Sequence, residues 1–285
     1  MKSLPLFYSA SMVAESGSFS PSAAKPKAVV ESWRRLGVPL ERHEFRPASV
    51  EELCRAHDRA FVEGVLSGRK PNGFGNTSKD VAASLRWTSG AMRSAALHAW
   101  RHGGAALAPC SGFHHADWAR ADGFCTFNGL VVAALALKAE GARKVGILDC
   151  DHHYGDGTDA ILERLQLGDF VTHWTAGGEF NQPRHVDAFF EKLPRVLDGF
   201  SGCDVVLYQA GADPHVNDPL GGWLTTEELA QRDALVFSHL HALGVPVAWN
   251  LAGGYQKEAD GSIPRVLEVH DNTLKACAQV YLARP

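Results

Sequence analysis

The chain has 285 residues, of which 45% are hydrophobic and 21% charged, and its formal net charge is -4. A mildly acidic chain without clustered Lys and Arg lacks the electrostatic footprint of proteins that bind nucleic acid or anionic membranes. No apolar run approaches the roughly 18 to 20 residues that span a bilayer, and residues 1–17 are too polar for a signal-peptide core. The six cysteines show no CxxC spacing, which favours free thiols in a cytoplasmic protein.

Short apolar runs that end in Gly, Cys or Asp alternate with helix-like segments along the chain. The runs are residues 103–110, 144–151, 169–175, 203–211 and 245–254. Near-continuous apolar runs of this length are typical of strands buried on both faces of a parallel sheet.

Helix signals lie between these runs. Residues 127–141 predict a helix that ends at Gly141, and residues 225–244 predict one that begins with a capping box. Residues 67–80, rich in Gly, Asn and Lys, predict an excursion between helices rather than a domain boundary. We therefore predict an α/β fold of three layers, a mostly parallel sheet flanked by helices, in a single domain over residues 1–285.

Polar side chains follow two of the predicted strands. The segment DCDHH begins at Asp149, and Asp213 follows a later run. Side chains alternate in extended chain, so Asp149, Asp151 and His153 share one face. His152 points to the other. Because ligands bind beyond the carboxyl ends of parallel strands, we predict that Asp151, His153 and Asp213 hold a catalytic metal ion with one position open for water.

This ligand set is rich in oxygen. It suits Zn²⁺, Fe²⁺ or Co²⁺, and composition does not choose between them. Any one of the three residues alone is more typical of a turn, a helix cap or a structural histidine. All three at strand ends favour a metal site.

Further polar residues fall near the same sheet edge. Beside an activated water, His114 and His115 can act as general base and electrostatic partner, each oriented by a carboxylate. Asp149 and Asp156 are the carboxylates available for that orientation. Tyr255, which follows two glycines, can donate a hydrogen bond to an oxyanion that forms on a polarised carbonyl.

These segments together resemble the zinc-dependent histone deacetylase and acetylpolyamine amidohydrolase family, whose fold is shared with arginases. The similar region extends from about Ser84 to Tyr255 and contains, in the family's order, GFHHA, GFCTFN, LDCDHHYGDG, GADPHVNDPLG and GGY. The resemblance implies an arginase/deacetylase-like catalytic domain. It also implies a zinc enzyme that removes an acetyl or another acyl group from an acylated amine, such as an acyl-lysine peptide or an acetylpolyamine.

The resemblance assigns a role to each polar residue. His115 corresponds to the general base and His114 to a second proton-handling residue. Asp149 corresponds to the partner of His114, and Asp156 to the partner of His115. Tyr255 corresponds to the residue that polarises the scissile carbonyl together with the metal.

The resemblance also implies a substrate tunnel and a second ion. The tunnel residues are Gly123, Phe124, Phe180, Leu220 and Gly253. A structural K⁺ or Na⁺ is implied beside Asp149, Asp151 and His153. The chain departs from the family's pattern at Tyr154, where a second His is usual, and at Trp174, which falls near the usual monovalent-ion residue.

Two other functions fit parts of the pattern. An arginase-like ureohydrolase with two Mn²⁺ ions needs further Asp and His ligands beyond the three assigned. A non-catalytic sensor of an acylated ligand would have no need for every acid–base position to be present. The deacylase interpretation uses all of these residues.

Overall fold

A computed structural model that describes residues 2–283 contains one sheet, and its strands are β1 Leu4–Leu6, β2 Leu40–Arg42, β3 Ala105–Ala108, β4 Val145–Asp149, β5 Val171–Thr175, β6 Val205–Gln209 and β7 Val247–Asn250. These strands are parallel and lie in the order β2-β1-β3-β7-β6-β4-β5. Each of the five predicted runs contains a strand. The sheet is parallel throughout, where the sequence predicted a mostly parallel one.

Helices flank this sheet in two groups defined by mutual contact. The helices are α1 Lys25–Arg35, α2 Val50–Ala56, α3 Arg59–Leu66, α4 Lys79–His102, α5 Gly129–Glu140, α6 Asp156–Arg164, α7 Val186–Asp198, α8 Thr226–Ala242 and α9 Pro264–Tyr281. One group consists of α2, α3, α4, α5 and α6, and the other of α1, α7, α8 and α9. The predicted three-layer α/β architecture is confirmed. Among residues 2–283, no helix is long and apolar enough to cross a membrane.

The predicted helix ends are also observed. Gly141 caps α5 with a left-handed φ of 105°, a conformation that costs a residue without Cβ little. Thr225 and Glu228 form the reciprocal capping box at the start of α8. Residues 67–78 form a connection between α3 and α4, as the sequence predicted.

The two strands that the sequence analysis missed are β1 and β2. Each has three residues, and β2 is an edge strand with partly exposed side chains. β2 lacks the continuous apolar run that marks a strand buried on both faces, and the run around β1, residues 4–8, contains Pro5, which has no amide hydrogen for a ladder. β5, at the opposite edge, was predicted because its apolar run is longer, although most of its residues are only half-buried.

The central strands end level with one another. Asp149 of β4 pairs with Gln209 of β6, which pairs with Asn250 of β7, which pairs with Ala108 of β3. The loops that follow these four strands therefore leave the sheet at one edge, and their side chains converge there.

Candidate active site

The predicted metal ligands lie together at this edge. One ligand atom from each of Asp151, His153 and Asp213 lies within 4.8 Å of the others. Nδ1 of His153 is 2.9 Å from Oδ2 of Asp213 and 3.2 Å from Oδ1 of Asp151. Both carboxylates are buried, whereas the His153 side chain is 31% exposed. The cluster therefore has two buried carboxylates on its inner side and is open to solvent at His153.

The backbone reaches this arrangement through turns and not through continued strand. β4 ends at Asp149, whose Oδ1 accepts a hydrogen bond from the Asp151 amide at 3.1 Å. Oδ1 of Asp151 in turn accepts from the His153 amide at 3.0 Å. These successive Asx-type bonds bring alternate side chains to the site. The grouping predicted from strand alternation is observed, but its cause differs.

The His152 side chain is not among the clustered ligands, although its amide donates to Oδ1 of Asp213 at 3.3 Å. A Cβ added to Gly221 would lie 2.1 Å from its Nε2, so its ring packs against the loop before α8. Tyr154, two residues further along the chain, is 45% exposed. It donates its hydroxyl hydrogen to Asp159, which also accepts from His173 at 2.7 Å. Tyr154 therefore binds α6 on the outside of the ligand loop.

The pKa values of the ligands indicate that a cation belongs between the two carboxylates. Burial lowers the pKa of His153, but its hydrogen bonds to Asp151 and Asp213 outweigh burial and raise that pKa to about 11. Burial and the neighbouring Asp151 raise the pKa of Asp213 to about 7. Two buried carboxylates in contact repel each other unless a cation lies between them. When no metal is bound, protonated His153 provides this positive charge. A divalent metal ion would also provide it, so the donor set fits such an ion.

Two glycines permit the close approach of the ligand loops. A Cβ on Gly211 would lie 2.6 Å from the Cα of Asp151, and one on Gly253 would lie 2.2 Å from Cγ of Asp213. The Gly253 amide donates to Oδ2 of Asp151 at 2.9 Å. Gly253, predicted as tunnel lining, is placed against the metal ligands.

A buried lysine supports the same glycine loop. Lys25 is 1% exposed, and its Nζ donates to the carbonyls of Ala252 and Gly253 at 2.5 and 2.6 Å. Burial lowers the pKa of Lys25 to about 8, although the acidic ligands counteract part of this effect. The sequence analysis missed this residue, since a lysine at the start of a helix has no pattern that marks it as buried.

The two adjacent histidines have the predicted carboxylate partners. Nδ1 of His114 is 2.7 Å from Oδ2 of Asp149, and Nδ1 of His115 is 2.6 Å from Oδ1 of Asp156. Because an ionised carboxylate can only accept, each Nδ1 carries hydrogen, and the Nε2 of a neutral ring is left to accept a proton. Nε2 of His114 lies 3.6 Å from Oδ1 of Asp151.

The environments of the two imidazoles differ. Burial lowers the pKa of His114, but Asp149 and Asp151 outweigh burial and raise it to about 9. Burial and the adjacent His114 lower the pKa of His115, and Asp156 only partly opposes them. The pair therefore combines a charged His114 with a neutral His115 at neutral pH. A pair of titratable groups pushed apart in this way is typical of an acid–base site.

A neutral histidine in the core holds the loop that carries this pair. Nδ1 of His57 donates to the Asp117 carbonyl at 2.8 Å, and its Nε2 accepts from the Asn128 amide at 2.8 Å. The Asn128 side chain donates to Thr158, whose amide bonds the His114 carbonyl. His57, Asn128 and Thr158 are residues of the site's support that the sequence analysis missed.

Tyr255 is buried beside the acidic ligands. It is 7% exposed, and its amide donates to Oδ2 of Asp218 at 2.7 Å. Burial, with the charges of Asp213 and Asp151, raises the pKa of Tyr255 well above 10, so its hydroxyl stays a hydrogen-bond donor. Its ring centroid is 5.5 Å from that of Phe124.

The predicted tunnel residues other than Gly253 occupy three different places. Gly123 and Phe124 have left-handed φ angles of 49° and 63°, and a Cβ on Gly123 would lie 2.4 Å from the His115 ring. Leu220 is exposed on the loop before α8. Phe180 packs in an aromatic cluster, and its partners are Trp174, His185, Phe189 and Trp223. Gly123 and Phe124 thus lie at the site, whereas Phe180 packs in the core.

The wall formed by Phe124 has an outer extension that the sequence analysis missed. The ring centroid of Phe74 is 6.1 Å from that of Phe124. The Phe124 amide donates to the Gly73 carbonyl, which docks the connection between α3 and α4 on the site. Phe74, Phe124 and Tyr255 form one aromatic wall.

The implied monovalent-ion position is bounded by the end of β5. Thr175, and not Trp174, pairs with Asp149, and the Thr175 hydroxyl accepts from the Gly155 amide at 3.1 Å. The Trp174 indole donates to Glu179. The ion itself stays a prediction.

Comparison with known proteins agrees with this geometry. The histone deacetylase domain matches residues 21–169 and 170–269. The chain belongs to the histone deacetylase family. An uncharacterized protein of Picosynechococcus sp. is 30% identical over 244 residues, which cover 78% of each chain. Members of this family hydrolyse amide bonds, so the chain is a deacetylase-type hydrolase.

Solved structures share the fold at low sequence identity. The HDA15 HD domain superposes with a TM-score of 0.78 at 22% identity, covering 99% of this chain and 91% of that one. An acetylpolyamine aminohydrolase from Burkholderia pseudomallei gives a TM-score of 0.76 at 17% identity, with 98% and 99% covered. The arginase/deacetylase-like α/β fold is therefore established.

Proposed function

We propose that this protein is a metal-dependent, zinc-preferring amidohydrolase that removes an acetyl or another acyl group from an acylated amine. The observation that carries the proposal is the convergence of Asp151, His153 and Asp213 within 4.8 Å at the sheet edge that also holds the His114–His115 pair. Acid–base residues beside a cation site open to solvent are the parts that metal-assisted hydrolysis needs.

The ligands define what the metal contributes. Asp151, His153 and Asp213 would hold a Zn²⁺ ion, which would supply Lewis acidity to the substrate carbonyl and lower the pKa of water. Fe²⁺ or Co²⁺ would accept the same donors. We also propose that a structural K⁺ or Na⁺ binds beside Asp149.

The protein's own residues move the protons. His115, neutral and with Nδ1 held by Asp156, accepts the proton of the attacking water at Nε2. The Tyr255 hydroxyl donates a hydrogen bond to the oxygen of the carbonyl as negative charge develops there. A protonated histidine, either His115 or His114, then gives its proton to the leaving amine. The products are a carboxylate and a free amine.

The substrate class rests on the wall of the site. An acyl-lysine or acetylpolyamine presents an alkyl chain behind the amide, and Phe124 with Gly123 flanks the catalytic His115 where that chain would lie. The acetylpolyamine aminohydrolase named above shares only the fold with this chain, so the comparison does not choose between an acyl-lysine and an acetylpolyamine substrate. We further propose one catalytic domain over residues 1–285 and, from its six free cysteines, a cytoplasmic location.

The arginase-like alternative has less support. Within residues 2–283, Asp151, His153 and Asp213 are the one group of three or more potential ligands close enough to share an ion. Two Mn²⁺ ions would need bridging ligands beyond these. Metal analysis separates the two functions, since one Zn²⁺ per chain supports the deacylase and two Mn²⁺ the ureohydrolase.

Tyr255→Phe tests the proposed role of the hydroxyl. Turnover of an acetyl-lysine peptide and of an acetylpolyamine should fall about 100-fold or more, because a donor to the developing oxyanion is lost. Zinc content should stay at the wild-type level, since Tyr255 is not among the clustered ligands and its amide contact with Asp218 is kept. A variant that hydrolyses every substrate at the wild-type rate would exclude this role.

A further inference from the structure

A buried arginine connects the two loops that carry the acidic metal ligands. Arg232 of α8 has no exposed surface. Its Nη1 donates to the Cys150 carbonyl at 3.1 Å and to the Gly211 carbonyl at 2.8 Å. Cys150 directly precedes Asp151, and Gly211 stands two residues before Asp213. One nitrogen therefore contacts the backbone of both ligand loops.

The arginine acts where the sheet can no longer hold these loops. The hydrogen bond from the Cys150 amide to the Gln209 carbonyl, at 3.0 Å, lies just beyond the last paired residues of β4 and β6. Past this point the chains have left the ladder, yet Gly211 still approaches the Cα of Asp151. The guanidinium group joins the two chains where the next hydrogen bond of the ladder would otherwise lie.

The charge of Arg232 is compensated on its other side. Its Nε donates to Oδ1 of Asp233 at 2.9 Å, and the hydroxyls of Tyr208 and Thr273 also donate to Asp233. Buried ion pairs seldom add net stability compared with apolar packing of the same volume. An apolar side chain could fill this space, but it could not donate to two carbonyls. The arginine therefore suits a positioning task better than a stabilising one.

We propose that Arg232 is a positioning residue that fixes the separation of the Asp151 and Asp213 carboxylates and thereby sets the affinity of the metal site. It touches neither ligand side chain and acts only through the Cys150 and Gly211 carbonyls. The inference rests on the proposed metal site. It adds that the site's geometry depends on a side chain from α8, outside the loops that supply the ligands.

The test separates the carbonyl contacts from the ion pair. Asp233→Asn breaks the pairing but leaves Arg232 on both carbonyls, whereas Arg232→Met with Asp233→Asn removes the carbonyl contacts without leaving a buried carboxylate unpaired. Zinc affinity is measured on each folded protein by competition with a chromophoric chelator. The visible spectrum of the Co²⁺ form reports ligand geometry, and thermal unfolding of the metal-free forms reports stability.

The double variant should bind zinc about 10- to 100-fold more weakly than wild type, with an altered Co²⁺ spectrum, as is usual when groups that orient metal ligands are lost. Asp233→Asn should keep the wild-type affinity and spectrum even if it unfolds at a lower temperature. Wild-type affinity in the double variant would overturn the inference. So would an equal loss in Asp233→Asn, because affinity would then follow stability.

Arg232→Lys decides the matter if the double variant does not fold. It keeps the charge opposite Asp233 but not the planar fork, and we expect zinc to bind about tenfold more weakly. Unchanged affinity and an unchanged Co²⁺ spectrum would overturn the inference. Asp151→Ala marks the failure of the proposed function instead: if it binds zinc as well as wild type does, the metal site is wrong and the inference falls with it.

Discussion

Gly253→Ala adds one methyl group against a metal ligand. The new Cβ would lie 2.2 Å from Cγ of Asp213 and 2.4 Å from both carboxylate oxygens. Ordinary contact begins at 3.4 Å, so the two groups must separate by about 1.2 Å. Lys25 holds the Gly253 carbonyl at 2.6 Å, which leaves the carboxylate as the group that moves. The φ of Gly253 is not left-handed, so alanine adds no backbone strain there.

A shift of this size exceeds what a metal site tolerates. Metal–ligand distances hold to within about 0.2 Å, and a misplacement of about 1 Å can reduce turnover about 100-fold. We expect Gly253→Ala to lose zinc affinity and to lose turnover by at least that factor in a fluorogenic acyl-lysine assay. Gly168→Ala is the matched control, because nothing lies within 4 Å of its Cβ position. Wild-type zinc binding and turnover in Gly253→Ala would refute the reasoning.

Two further predictions concern pH. Because burial and His114 hold the pKa of His115 below 6.5, the acid limb of kcat/KM should lie below that pH, and His114→Ala should shift it upward; a limb that does not move would contradict the coupling. Burial lowers the pKa of His57 to about 4, so the folded state resists a proton that the unfolded chain accepts. The stabilisation that depends on a neutral His57 should therefore be fully present above pH 6.5 and fall by about 1.4 kcal/mol per pH unit towards pH 4. Urea unfolding of His57→Gln should show a slope smaller by this amount, and an unchanged slope would contradict the assignment.

The sequence predicted the parts of this protein that local pattern determines. β3, β4, β6 and β7 carried continuous apolar runs because both of their faces are covered, and the strand ends carried Asp151, His153 and Asp213. The alternation of Asp149, Asp151 and His153 predicted their shared face. Its physical origin, side chains that accept from backbone amides two residues on, became visible only in three dimensions.

The missed residues depend on partners far away in the chain. Arg232 and Lys25 lie on helices, where a charged residue usually faces solvent, and their burial depends on carbonyls 21 or more residues distant. His57 reaches Asn128 across 71 residues. Phe180 was assigned to the tunnel wall by the resemblance alone and stays a prediction; its ring packs against Trp223 and Phe189, contacts that local sequence pattern does not show.

The most direct test of the central claim is a zinc titration of the metal-free protein, with acetate release from an acetyl-lysine peptide as the readout and His115→Ala as the comparison. The account predicts that wild-type activity returns linearly and saturates at one zinc per chain. It also predicts that His115→Ala binds the same single zinc and stays at least about 100-fold slower. Hydrolysis that survives complete metal removal, or equal rates in the two zinc-loaded proteins, would contradict it.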